Sequence, residues 1–151
     1  MITCTPIGTV QAPVTEMSLG NWARVDSEIH VDKRYEGGLQ GLDEYSHVIV
    51  VFFLDQIRGF DPAAQLLRKP RGKEHMQAVG VFAQRTKYRP NPIGITAVKL
   101  RGVSENVVKV TGLDALDGTP VLDIKPYIPE FDRVAEPKTP DWVKDFMEGY
   151  F

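Results

Sequence analysis

Apolar positions in this chain fall into short runs rich in Val, Ile and aromatic residues, divided by Gly, Pro, Asn and Asp. That spacing marks strands and turns, not long amphipathic helices. It predicts strands over residues 7–11, 27–32, 47–54, 78–82, 95–103, 106–113 and 121–127. Residues Ile95 to Leu100 approximate the apolar-polar alternation of a half-buried strand, and Ser104-Glu105-Asn106 supplies a turn into the next run, so a hairpin is expected there. The run Val48 to Leu54 does not alternate, which predicts a central strand covered on both faces or set at a subunit contact. Helix is scarce. Asp61-Pro62 can open a short turn through Leu67, with Asp as N-cap and Pro at the first helical position. Residues 139–147 read the same way, with Thr139 or Asp141 as cap. Trp142, Val143, Phe146 and Met147 fall on one face there, ready to dock on the rest of the protein or on a partner. Several even strands, one hairpin and little helix favour a mainly β protein, a small β-barrel with short peripheral helices.

At 151 residues the chain suits one domain spanning 1–151. The longest apolar run is seven residues, against the roughly 20 needed to cross a bilayer, so no membrane association is expected. The first residues lack a basic stretch followed by an apolar one, which predicts a cytoplasmic location. Cys4 is the only cysteine, so neither an internal disulfide nor a CxxC-type metal or iron–sulfur site can form within one chain, and no metal is expected.

The formal net charge of −2 conceals an uneven distribution. Between Arg58 and Arg101 stand ten Lys and Arg against two Asp and Glu, a balance of +8 that leaves −10 on the remainder. Such a block suits a phosphate-binding surface, because neutralising phosphates is the main source of nucleic-acid affinity. A solvated basic loop paired with acidic segments elsewhere explains it equally well.

Two segments carry more specific chemistry. In GVFAQRTKYRPNPIG, residues 80–94, a strand leads into a loop with two prolines and several cations, closed by a glycine. Prolines fix φ, so the loop holds Arg85 and Arg89 with little entropy left to lose, and Gly94 admits a backbone approach that a side chain would block. In GLDALDGTPVLDIKPY, residues 112–127, three aspartates surround a tight Asp117-Gly118 turn. Asp123 and Lys125 lie two residues apart on one strand and share a face, which fits an ion pair or a polar ligand pocket alike.

These two segments, with the preceding EGGLQGLDEYSHVIVV, resemble the signature of the TsaA-like or TrmO family over residues 7–140. The resemblance implies a homodimeric β-barrel methyltransferase that binds S-adenosylmethionine without a Rossmann sheet and modifies N6 of threonylcarbamoyladenosine beside the tRNA anticodon. No GxGxxG loop opens a βαβ unit here, which is compatible with a non-Rossmann site. By similarity to the family motif, Arg85 matches a cofactor-contacting arginine, and Ile95 and the main chain of Asp114, Ala115, Leu116 and Asp117 match positions lining the cofactor.

Other roles rest on the residues themselves. His47 opens the buried strand, and Asp55 and Gln56 emerge at its end; all three are candidate cofactor contacts. Gln11-Ala12-Pro13 is a further one, in a region where the pattern departs from longer relatives around residues 18–24. Asn91 is the candidate catalytic residue, an acceptor for the amine hydrogens of a target adenine, in a sequence loosely similar to the Asn/Asp-Pro-Pro-aromatic motif of other amino-methyltransferases. Arg68, Lys69, Arg71, Lys87 and Arg89 are candidate contacts to tRNA phosphates. The rival expectations are methylation of another substrate, or a sensor that binds the cofactor without turnover.

Overall fold

The computed structural model describes residues 1–16 and 20–151. Strands β1 (Gly8–Gln11), β2 (Asp26–Val31), β3 (His47–Phe53), β6 (Ile93–Ser104), β7 (Val107–Thr111) and β8 (Pro120–Pro126) form a closed barrel in the order β1-β2-β7-β6-β3-β8. All of its pairings are antiparallel. Closure leaves none of the six with an open edge. Two shorter strands, β4 (Leu67–Arg68) and β5 (Val79–Gly80), pair with each other outside it. Helices are short: α1 (Pro62–Gln65), α2 (Pro129–Asp132) and α3 (Asp141–Met147). None is long and apolar enough to cross a membrane.

The core is the barrel interior, where period-two alternation turns one face of every strand inward. Val10, Ile29, Val31, Val48, Val50, Phe52, Val98, Leu100, Val108, Val110 and Val121 meet there with Leu113 and Ala115. The long apolar run is central as expected, since β3 pairs with β6 on one side and β8 on the other. Its second face is buried at Ile49 but only half-covered at Val51 and Phe53. The hairpin forms with a two-residue connection, Glu105-Asn106, in which Glu105 takes a left-handed φ of 52°. Gly94 pairs with Phe52 across the sheet, and a Cβ there would come within 2.4 Å of the phenyl ring. The glycine is required by close approach, not by an unusual φ.

Two local expectations are corrected. The strand over 78–82 shrinks to β5, because the chain turns into a 3-10 helix at Val81–Ala83 whose Val81 N–H goes to the Leu66 carbonyl. Helix α3 is preceded by Pro140 and has no side-chain cap, so neither Thr139 nor Asp141 serves as one. Asp61, by contrast, does cap α1, accepting from the Ala63 N–H at 3.0 Å, while Gln65 returns an acceptor to the Asp61 N–H at 2.7 Å.

Candidate functional site

The loop between β7 and β8 is tethered at both ends by main-chain bonds: Gly112 N–H to Val25 C=O, Asp117 N–H to Val14 C=O and Gly118 N–H to Val10 C=O. Between the tethers, the Asp114 carboxylate accepts from Thr96 Oγ1 on one oxygen and from Tyr150 Oη, at 2.6 Å, on the other. Burial first, and then this hydrogen bond, push the Tyr150 hydroxyl above its ordinary range, so it remains a donor. The charges of Arg71 and Arg85 reach the same hydroxyl and act in the opposite sense. The Arg71 guanidinium also lies 5.0 Å from the Phe146 ring centroid and 5.9 Å from that of Tyr150. Asp114, Thr96, Tyr150, Arg71 and Arg85 thus form one polar cluster bounded by α3.

Arg85 is exposed and makes no hydrogen bond or ion pair among the described residues, so its guanidinium is available to an anion. Ala115, only 2% exposed, uses neither its N–H nor its C=O in any hydrogen bond among the described residues. A buried unpaired amide is costly. Asp117 turns elsewhere: its carboxylate accepts from the Ala12 N–H at 3.0 Å and lines an open groove of about 950 Å³ along β1, β2 and β7. Gln11, Ala12 and Pro13 line that groove too, as do Asp26, Glu28 and Ser27, whose buried Oγ has no partner among the described residues.

The candidate cofactor contacts on β3 do not converge. His47 opens the strand and Asp55 lies in the turn beyond its other end, with a strand of roughly 20 Å between them at the usual rise per residue. His47 is exposed, bonded to Ser46 Oγ at 2.8 Å and edge-on to Tyr127. Gln56 lines a separate cavity of about 230 Å³ with Phe60 and Tyr88, and Asp55 is exposed beside it. Ile95 lies on the outer face of β6 opposite Val51, 46% exposed, with Ile93 also exposed on the same face.

Loop 84–92 is stapled by Arg89, whose Nη1 donates to the carbonyls of Val81 at 2.9 Å, Gln84 at 2.8 Å and Thr86 at 3.3 Å. Gln84 in turn donates to the carbonyls of Arg68 and Val79, fixing the loop to the β4–β5 ladder. Asn91 is exposed. Its C=O accepts from the Ile93 N–H and the Pro92 C=O from the Leu54 N–H, which leaves the Asn91 side-chain amide as the open acceptor. Of the basic candidates, Lys69 is paired with Glu74 at 2.9 Å, while Arg68 and Lys87 lie 4.1 Å and 5.3 Å from the Tyr88 ring centroid. Phe82, 74% exposed, stands next to them under Arg89. Asp123 and Lys125 form a surface ion pair at 2.7 Å, which resolves that choice in favour of the structural role.

Thr96 and Tyr150 are functional candidates that sequence reasoning missed. Thr96 gave one signal, a polar residue on the inward face of an alternating strand. Tyr150 gave none, since no motif or period reaches it.

The family model of the tRNA-methyltransferase O N-terminal domain matches residues 15–133. A probable S-adenosyl-L-methionine-binding protein of Archaeoglobus fulgidus is 38% identical over 136 residues, 87% of this chain and 36% of that protein. The human tRNA (adenine(37)-N6)-methyltransferase is 40% identical over 105 residues, 68% of this chain and 23% of that protein. A crystal structure of TrmO from Pseudomonas aeruginosa superposes with a TM-score of 0.75 at 29% identity, covering 93% of this chain and 62% of that one. The chain therefore spans less than two thirds of each of these three proteins.

Proposed function

This chain belongs to the tRNA-methyltransferase O N-terminal domain family, and on that ground we propose that it is an S-adenosylmethionine-dependent methyltransferase acting on tRNA. The acceptor we assign is N6 of threonylcarbamoyladenosine at position 37, as the name of the human relative supports in its coarser part, adenine 37 N6. The observation that carries the reading is the cluster around Asp114. It sets Arg85, which has no ion pair among the described residues, within electrostatic reach of Tyr150 beside a loop whose buried main chain at Ala115 has an unused donor and acceptor among those residues.

These residues fit the ligand. An S-adenosylmethionine molecule carries a carboxylate, which suits Arg85, and an adenine edge that offers one acceptor and one donor, which suits the main chain of Asp114 to Asp117. When bound, it supplies an electrophilic methyl group on a sulfonium centre. The protein's contribution is placement: Arg85 holds the charged tail and the 114–117 loop holds the base, so that the acceptor amine meets the methyl in line. Proximity of that kind is worth on the order of 7 kcal/mol of barrier. N6 of threonylcarbamoyladenosine is a ureido nitrogen with one hydrogen, a weak nucleophile because its lone pair is delocalised into the ring and the carbamoyl carbonyl; that hydrogen leaves as a proton as the N–C bond forms and the S–C bond breaks. The Asn91 amide oxygen, accepting one N–H, draws density toward that nitrogen.

The tRNA approaches over the basic face, where Arg68 and Lys87 lie on Tyr88 with free cationic heads for phosphates. We also assign a homodimer, supported by the exposed Ile93 and Ile95 beside half-buried Val51 and Phe53 on the outer barrel face.

The decisive experiment is transfer of labelled methyl from S-adenosylmethionine into tRNA with and without prior threonylcarbamoylation. Incorporation confined to the modified tRNA is expected. Cofactor binding with no incorporation into either would replace the enzyme by a sensor.

A further inference from the structure

The segment Asp141–Phe151 lies outside the residues matched by the family model, yet it reaches into the cluster assigned above to the cofactor. Its seat is built by the main chain: Asn21 N–H donates to Gly149 C=O at 2.8 Å and Trp22 N–H to Tyr150 C=O at 3.0 Å. Trp22 beneath it is 2% exposed. Gly149 turns the chain after α3 with a φ of 69°, and Gly20 lets the two backbones meet, since a Cβ on it would lie 2.6 Å from the Gly149 oxygen. Arg71 lies over the rings of Phe146 and Tyr150 from the other side. The Tyr150 hydroxyl then ends on Asp114, whose side chain ties down the loop between its tethers at Gly112 and Asp117.

Resting on the function proposed above, we infer that this segment is a fixed wall of the cofactor site and that Tyr150 is a positioning residue. By donating to Asp114 it holds the main chain of residues 114–117 in the shape that receives the adenine. A displaceable lid is the weaker account, because opening it would break two main-chain hydrogen bonds and a charge-assisted one together and expose Trp22.

Two measurements test this on the full chain, with thermal melts as the folding control. In Tyr150→Phe the ring stays under Arg71 and only the hydroxyl is lost. Amide hydrogen exchange without ligand is expected to quicken at Gly112, Asp117 and Gly118, whose N–H groups carry the loop's main-chain bonds, while the barrel strands stay protected. Calorimetry with S-adenosylmethionine is expected to show an affinity about tenfold weaker, the size of one hydrogen bond to a charged group. Asp114→Asn combined with Tyr150→Phe should cost no more than the larger single effect, a non-additivity that a merely structural tail would not give. Gly20→Ala, whose added Cβ would meet the Gly149 oxygen, should weaken binding by a similar factor by lifting the segment. Unchanged exchange in Tyr150→Phe overturns the positioning role whether or not the cofactor binds. Affinity that is unchanged or tighter in Tyr150→Phe or Gly20→Ala overturns the wall. If the unaltered protein gives no heat with S-adenosylmethionine, the proposed function falls instead, and the exchange result alone decides the role of Tyr150.

Discussion

Arg89 has one guanidinium nitrogen within reach of three loop carbonyls, and that geometry makes it a builder of the loop before it can be a phosphate contact. The side chain is half-buried, and unfolding exchanges all three bonds for water, so their net worth is a fraction of their number. Arg89→Met keeps most of the aliphatic stem and removes the donors; denaturant unfolding should show a loss of about 2 kcal/mol. The same variant should bind cofactor less well, because Arg85 stands on the loop that Arg89 closes. Lys69 differs again: its ammonium is committed to Glu74 and to that residue's carbonyl. A cation in the sequence is a charge, but whether the charge is free depends on which acceptors the fold brings to it.

Among the elements, the β3–β6 pair is the one in which a single missing side chain decides the packing. Gly94 faces the Phe52 ring across the sheet, and Phe52 is 3% exposed in the core, so the ring cannot swing away without opening a void. Gly94→Ala should therefore destabilise by about 2 kcal/mol in urea unfolding, from overpacking and not from any change in φ preference. The cost should fall in Phe52→Leu, where the obstruction is smaller. β5 shows the opposite case, an apolar run that does not extend as a strand. Beyond Gly80 the carbonyls of Val81 and Gln84 are taken by Arg89 and the Val81 N–H by the Leu66 carbonyl, so the ladder stops there.

Over the whole molecule, the cations of the positive block are not equally available, since Lys69 is paired with Glu74 and Arg101 with Asp26. Arg68 and Lys87 flank Tyr88, beside exposed Phe82, and aromatic rings interleaved with cations suit unpaired nucleotides. Replacing Arg68 and Lys87 together with alanine should reduce the salt slope of tRNA binding by about 2 and leave S-adenosylmethionine affinity unchanged. The paired Lys69→Ala should shift the slope less. A titration of tRNA affinity against salt concentration separates the two cases.

Six of the seven expected strands, the hairpin, the Asp61 cap and the central place of the β3 run were legible in the sequence. They depend on periodicity, turn chemistry and capping, which act over a few residues and leave their pattern in the order of side chains. The two motif segments were legible for the same reason, as was the family they resemble. What the linear order did not disclose is which of their residues meet. Asp114 and Asp117 stand in one motif but turn to different partners, while Tyr150, 36 positions from Asp114, donates a hydrogen bond to it. The main-chain bonds that tie their loop to Val25, Val14 and Val10 decide the first. Docking of the C-terminal segment on Asn21 and Trp22 decides the second, through main-chain hydrogen bonds that any residue could make and that therefore leave no mark on residue type.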